Sequence, residues 1–344
     1  MARVLPFRPD PGVLREVTGS VPDSPAVVRV DARMLECIFA TTKPYALEGL
    51  DREAAVRFEA TRSQTSWAVG HRQRFALVRG SDILASAERH QFTGVLDQQP
   101  VTMCGIGEIS AHPEAGSGNH RLTLVERLLD TAEQDGIDLA LLFVGADRSC
   151  VPAGFDAIPA LDVELGVTES PRYGAPMTLV REGDDRDLPA IAAMGQVRAG
   201  QFRFRADRDV DLVKHAITQK RLLAGLAPPG TRQLRFVIAE EGITAAAYVV
   251  VSIVGRAWTI EECGDRDASG ARVGALLQAL IARDPAEERP IIRGWLPPGF
   301  VPPQVTIRSA VARPEVMMMR ALGSKRPVPP LTANDVMWWR SDIF

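Results

Sequence analysis

Residues 105–155 read GIGEISAHPEAGSGNHRLTLVERLLDTAEQDGIDLALLFVGADRSCVPAGF. The stretch from Val101 to Ile109 predicts a strand, and a turn carrying Gly116 and Gly118 follows it. From Arg121 to Gln134 the residues Leu122, Val125, Leu128, Leu129 and Ala132 recur at helical spacing, with Gly136 placed to cap the helix end. The apolar run Leu139–Val144 suits a strand buried on both faces. This strand–turn–helix–strand order matters because the opening turn of a helix presents unpaired backbone N–H groups at the positive end of its dipole. Such a turn is an anion site, above all for phosphates. Gly116 and Gly118 let the backbone come close to an anion, Asn119 tolerates a left-handed turn, and His120 and Arg121 can add positive charge. The same residues also suit a plain surface turn in front of a core helix.

The chain has 344 residues, long for one compact domain and comfortable for two. Its 46% hydrophobic and 24% charged residues are ordinary globular values. A formal charge of −3 without a Lys/Arg-rich run argues against nucleic acid as the main ligand. Cys37, Cys104, Cys150 and Cys263 are scattered, so they predict neither a zinc site nor a disulfide framework, and no metal site is expected. Free thiols fit a reducing cytoplasm. The start of the chain shows no signal-peptide core, and no apolar run approaches the length of a membrane helix, so a cytoplasmic protein without a membrane partner is expected.

Outward from the opening stretch, residues 1–25 predict an extended arm, and 26–170 a first α/β domain. The turn-rich segment 168–176 marks the boundary. A second domain is expected over 171–322, and a tail over 323–344 whose Trp338, Trp339 and Phe344 should pack back on the body. In the first domain, Met34 to Glu59 reads as helical, and Phe75–Val78, Gly80 and Ile83–Ala87 as a hairpin. In the second, a strand (Thr178–Arg181) and helices (Asp184–Met194, Asp211–Leu226) precede a hairpin (Arg235–Ala239, Ile243–Val254). A strand (Ala257–Cys263), a helix (Ala271–Ala282) and a strand (Pro290–Trp295) complete it, with Val316–Leu322 as a closing strand. The two halves repeat one order of elements with almost no shared residues.

The opening stretch resembles the cofactor-binding half of the GNAT superfamily of N-acetyltransferases. The resemblance covers about 105–155 well and the second half in outline, and implies an α/β fold of two tandem GNAT-like domains, each a mixed central sheet flanked by helices. In the family, the turn Q/R-x-x-G-x-G/A cradles the pyrophosphate of acetyl-CoA. Here Gly116 stands at the Q/R position, Asn119 at the first Gly and Arg121 at the second. By this resemblance Ile109, Ser110 and Ala111 would pair with the pantetheine arm, and Gly116, Ser117, Gly118, Asn119, His120 and Arg121 would hold the phosphates. The family often carries a Tyr acid in a pattern like F-Y-x-x-x-G-F. Here Ser149-Cys150-Val151-Pro152-Ala153-Gly154-Phe155 matches its end, with Cys150 in the Tyr position.

Acyl transfer needs a neutral amine and a proton for the departing thiolate. Glu108 is the candidate base and Glu88 a weaker one. Cys150 is a candidate acid, or a small buried hydrophobe. His71 and His90 have no partner in the sequence and read as surface or structural residues. The second turn, Cys263–Gly274, is crowded by Glu261, Glu262, Asp265 and Asp267, and no Tyr follows its last strand, so the second copy is expected to be degenerate. Some tandem members use the terminal carboxylate at the active site, a role the resemblance extends to Phe344. The expected function is acyl-CoA-dependent transfer, from acetyl-CoA as co-substrate, to the primary amine of a small molecule or peptide in a ternary complex. The alternative is a non-catalytic protein of this fold that binds an acyl-CoA or a partner protein, with homo-oligomers open in either case.

Overall fold

In the computed structural model the described residues are 24–42, 48–116, 118–168, 179–283, 289–323 and 328–344. Ser117 and nearly all of the expected N-terminal arm lie outside them. The first half runs β1 (Ala26–Arg29), α1 (Ala32–Thr42), α2 (Arg52–Arg62), α3 (Ser66–His71), β2 (Arg72–Arg79), β3 (Asp82–Leu96), β4 (Gln99–Ala111), α4 (His120–Gln134), β5 (Leu139–Val144), β6 (Asp156–Ile158) and β7 (Leu161–Val167). The second half runs β8 (Leu179–Glu182), α5 (Leu188–Ala199), β9 (Phe204–Ala206), α6 (Val210–Leu226), β10 (Arg232–Glu241), β11 (Thr244–Val254), β12 (Ala257–Asp265), α7 (Ala271–Ile281), β13 (Ile291–Gly294), β14 (Val305–Ala312), β15 (Val316–Ala321) and β16 (Val336–Met337). Among the described residues, no helix is long and apolar enough to cross a membrane.

Two mixed sheets carry the repeat. In the first, β2, β3 and β4 form an antiparallel meander, and β5 joins β4 in parallel after the α4 crossover. In the second, β10, β11 and β12 form the meander, and β13 joins β12 in parallel after α7. A crossover helix of this kind is what a parallel neighbour requires. The apolar run of β5 is shared between two cores. Ala140, Leu142 and Val144 pack with Leu124, Val125, Leu128 and Leu129 of α4, while Leu139 and Leu141 face the opposite layer with Met103 and Met319.

The sheets exchange strands. β7, which precedes the expected boundary, pairs with β13 and β14 in the second sheet. β15, expected to close the second half, lies between β5 and β6 in the first sheet. The two crossing links meet where Arg313 N–H donates to the Ala160 carbonyl at 3.2 Å. The expected helix over Met34–Glu59 is interrupted, since α2 starts only at Arg52 behind an Asp51 N-cap. The C-terminal segment packs onto both halves. Trp338 enters the first-half core, and its neighbour Trp339 enters the second-half core, 5.1 Å from the Trp295 ring.

Candidate functional site

β4 and β5 stay paired only from Met103–Leu139 to Ile106–Leu142, and β4 runs on for five residues beyond the last pair. Just past that point the β3–β4 register slips, so Glu108 and Ile109 together oppose Ala87. Glu108 takes φ +50°, an uncommon value for a residue with a Cβ, as a bulge that re-aims a side chain demands. The bulge and the parting of β4 from β5 leave the Ile109–Ala111 backbone at an opening in the sheet.

α4 starts at the end of this opening, and no side chain caps it, since Asn119 makes no cap hydrogen bond. Its first-turn N–H groups therefore keep their anion-binding capacity. Gly116 takes φ +78° in the turn. The imidazole of His120 folds back, with Nε2 3.0 Å from the Ala115 carbonyl, and fixes the turn rather than reaching outward. Arg121 is held by Asp147 at 2.8 Å and Ser149 at 2.7 Å, so a phosphate would have to share or displace these partners. Cys150 is buried among Val144, Leu142 and Met318, and burial pushes its thiol up.

The other face of β3 and β4 carries a cluster of charges. Glu88 is fully buried and accepts from Arg62 at 2.8 Å, from Arg72 at 2.6 Å, and from Arg74. Glu59 completes the cluster with bonds from Arg62 and Arg72. Burial alone would raise the Glu88 carboxyl, but the three guanidinium groups outweigh it and hold the group well below its ordinary value. Glu108 is partly buried, and no hydrogen bond or ion pair among the described residues reaches its carboxylate. Burial and then the charge of Glu88 push it up.

His90 stands beside Gly105 in the β3–β4 register, with Nε2 3.3 Å from Glu88. Burial lowers its pKa, so the ring is neutral near pH 7. Its face stacks on the Phe344 ring at 4.8 Å. Phe344 lies directly on β4: a methyl at Gly105 would overlap its ring, and one at Gly107 would overlap its carbonyl carbon. Asp342 anchors this segment to Arg208 at 2.8 Å, and Ser341 donates to Glu262 at 3.1 Å.

No family model matches the sequence, and no curated protein matches it. Solved structures do. A protein from Enterococcus faecalis V583, described as a probable N-acyltransferase, shares 12% identity over 87% of this chain and 72% of its own, with a TM-score of 0.62. A GCN5-related N-acetyltransferase from Kribbella flavida gives 15% identity, 87% and 71% coverage, and a TM-score of 0.61. The Saccharomyces cerevisiae N-myristoyltransferase with bound myristoyl-CoA gives 10%, 88% and 85%, and 0.51. The chain has the GNAT fold.

Within that fold the two copies differ at the turn that opens the crossover helix. In the second, the Asp265 carboxylate accepts from the N–H groups of Asp267 and Arg272, both at 2.9 Å, and from the Arg272 guanidinium at 3.0 Å. The α7 N-terminus thus already holds an anion of the chain itself. A methyl at Gly270 would meet the Phe300 ring at 2.6 Å, and one at Gly274 would overlap Gln304, so the neighbouring cleft is packed. Among the described residues, no internal carboxylate accepts from the N–H groups at the α4 turn of the first copy.

The fold brings Glu88, His90, Glu108 and Phe344 to one face of β3 and β4, while Cys150 and the α4 turn belong to the other. His90 read as unpartnered because, apart from Glu88 two residues away on β3, its neighbours lie on β4 and at the far C-terminus. Two glycines one residue apart inside a strand, Gly105 and Gly107, were the readable signal, since such glycines mark close approach of another backbone.

Proposed function

We propose that this protein is an acyl-CoA-dependent N-acyltransferase of the first-copy site, with acetyl-CoA as donor and a primary amine as acceptor. The observation that carries the reading is the contrast between the copies. Both copies part their parallel pair and carry a bulge, but no internal carboxylate among the described residues occupies the α4 turn, whereas Asp265 occupies the α7 turn and Phe300 and Gln304 pack beside it. The acyltransferases that share the fold support the same reading, and the bound myristoyl-CoA of one supports an acyl-CoA donor.

In this reading the thioester arm runs along Ile109, Ser110 and Ala111, with its phosphates at Gly116–Arg121. The acceptor approaches across the Glu88–Glu108 face. The amine nitrogen attacks the thioester carbon, Glu108 takes its proton directly or through one water, and the C–S bond breaks. The thiolate then takes a proton from water, because Cys150, whose raised thiol is protonated at neutral pH, packs in the core on the opposite face of the sheet from Glu108. The raised carboxyl of Glu108 brings its pKa nearer the working pH, which favours a general base. Four cysteines without a disulfide support a reducing, cytoplasmic setting.

Acetyl-CoA should raise the melting temperature, because a ligand selective for the folded state stabilises it. Thiol release across a panel of primary amines then separates an enzyme from a binding protein. Glu108→Gln should lower kcat/KM by roughly a hundredfold or more while leaving the acetyl-CoA melting shift intact. Absence of any shift at millimolar acetyl-CoA would overturn the proposal.

A further inference from the structure

Successive residues of β4 face opposite sides of the sheet, and the two sides are furnished differently where β5 leaves it. Cys104 and Ile106 face the α4 side, in one core with Leu124, Leu128 and Leu142. Met103 belongs to the opposite layer, so Gly105 and Gly107, in unbroken register with it, present bare backbone on that side. A groove floored by main chain therefore runs along this face of β4, and the ring of Phe344 fills it, since a methyl at Gly105 would overlap that ring. Phe143 of β5 meets the ring edge-on at 5.1 Å, and His90 of β3 stacks on it at 4.8 Å. Phe92 and Trp338 stand behind it at 6.0 and 6.4 Å. Phe92 and Trp338 are buried, whereas Phe344 keeps part of its surface exposed.

The groove matters to an acyl donor because of the direction in which the donor would run. Phosphates at the α4 turn and a thioester arm along Ile109–Ala111 carry the acyl end toward Gly107. Just beyond, the Ile106–Leu142 pair closes the sheet. An acyl chain longer than acetyl has to leave the sheet plane at that point. On the α4 side it would enter the close-packed core of Ile106, Leu128 and Leu142. On the other side the two glycines offer no side chain, and the ring of Phe344 is what stands in the way.

Resting on the acyl-CoA reading above, we propose that the Phe344 ring sets the acyl-chain length of the donor. With the ring in place the Gly105–Gly107 groove is closed and the donor carries a short acyl group. Without the ring the groove takes a straight chain of several methylenes. This role belongs to the ring alone, because Phe344→Ala keeps the terminal carboxylate.

Acetyl-CoA and hexanoyl-CoA are the probes, and isothermal titration calorimetry on the full chain needs no acceptor. The wild type should bind hexanoyl-CoA no more tightly than acetyl-CoA. Each newly buried methylene is worth about fourfold in affinity, so Phe344→Ala should move the preference toward hexanoyl-CoA at least tenfold. Phe344→Leu, which keeps an apolar group on β4, should move it in the same direction by less, and carries the test if the alanine variant does not fold. The ratio of the two dissociation constants within one variant is the readout, so a general loss of affinity cancels. A wild type that binds acetyl-CoA yet prefers hexanoyl-CoA, or a ratio unchanged by removal of the ring, would overturn the chain-length role and leave the acyl-CoA reading standing. A wild type that binds neither thioester would overturn both.

Discussion

Replacing Glu88 with Gln tests the most costly arrangement in the first half. Its carboxylate is completely buried and balances Arg62, Arg72 and Arg74 together with Glu59. Glutamine preserves the volume but leaves three guanidinium groups facing a single clear carboxylate, and turns one acceptor into an N–H donor. Breaking a buried ion pair from one side costs about 3–5 kcal/mol, since the abandoned charge stays desolvated. For a unit of this size that corresponds to a fall in melting temperature on the order of 10 °C. Urea unfolding should show a lower midpoint with an unchanged slope. The pH dependence adds a second readout. The folded-state carboxyl is held below its ordinary 4.5, so its stabilisation is present above that value and lost as pH falls through the folded-state pKa. Wild-type and Glu88→Gln stabilities should therefore converge in acid. A loss below about 1 kcal/mol at neutral pH, in the range of an exposed pair, would refute the view that this cluster depends on its charge balance.

The remaining predictions concern the C-terminal segment and the turn. Gly107→Ala should displace Phe344 from β4 at a cost of about 1–3 kcal/mol and expose the segment to carboxypeptidase, which mass spectrometry would follow. Asp342 is buried, which raises its carboxyl from 3.8 to about 6, assisted by Glu262 and opposed by Arg208. A raised group contributes stability below its unfolded pKa and loses it as pH rises through the folded one, so urea stability relative to Asp342→Asn should decline between pH 3.8 and about 6. Arg121→Asp should abolish the melting shift with acetyl-CoA while leaving the unliganded melting temperature within a few degrees, because Arg121 and Asp147 are a surface pair.

Much of the first-half frame was readable because its signals are local. The helical spacing through Leu128 and Leu129 and the apolar run to Val144 gave α4 and β5 nearly to their ends. The hairpins around Gly80 and Gly242 stand where glycine takes positive φ in a tight turn. The three-residue strands β6 and β9 escaped notice because so few residues carry little periodicity, and β7 went unread although Leu161, Val163, Leu165 and Val167 alternate along it. Val316–Ala321 was readable as a strand but not as a member of the first sheet: a short apolar run suits a buried strand, while choice of sheet depends on non-local pairing.

The candidate site divides along the same line. Sequence alone determined that a glycine-bearing turn opens α4, that acidic residues crowd the second copy, and that Cys150 stands where the family resemblance expects a Tyr. Only the tertiary structure decided that Asp265 occupies the second turn as an internal anion, that three arginines hold Glu88 ionised, and that Phe344 rests on Gly105 and Gly107 beside His90. Backbone propensity and capping act within a few residues and are written in local sequence. Burial, charge balance and close backbone approach arise between residues as much as about 250 positions apart, as from His90 to Phe344, and exist only once the chain has folded.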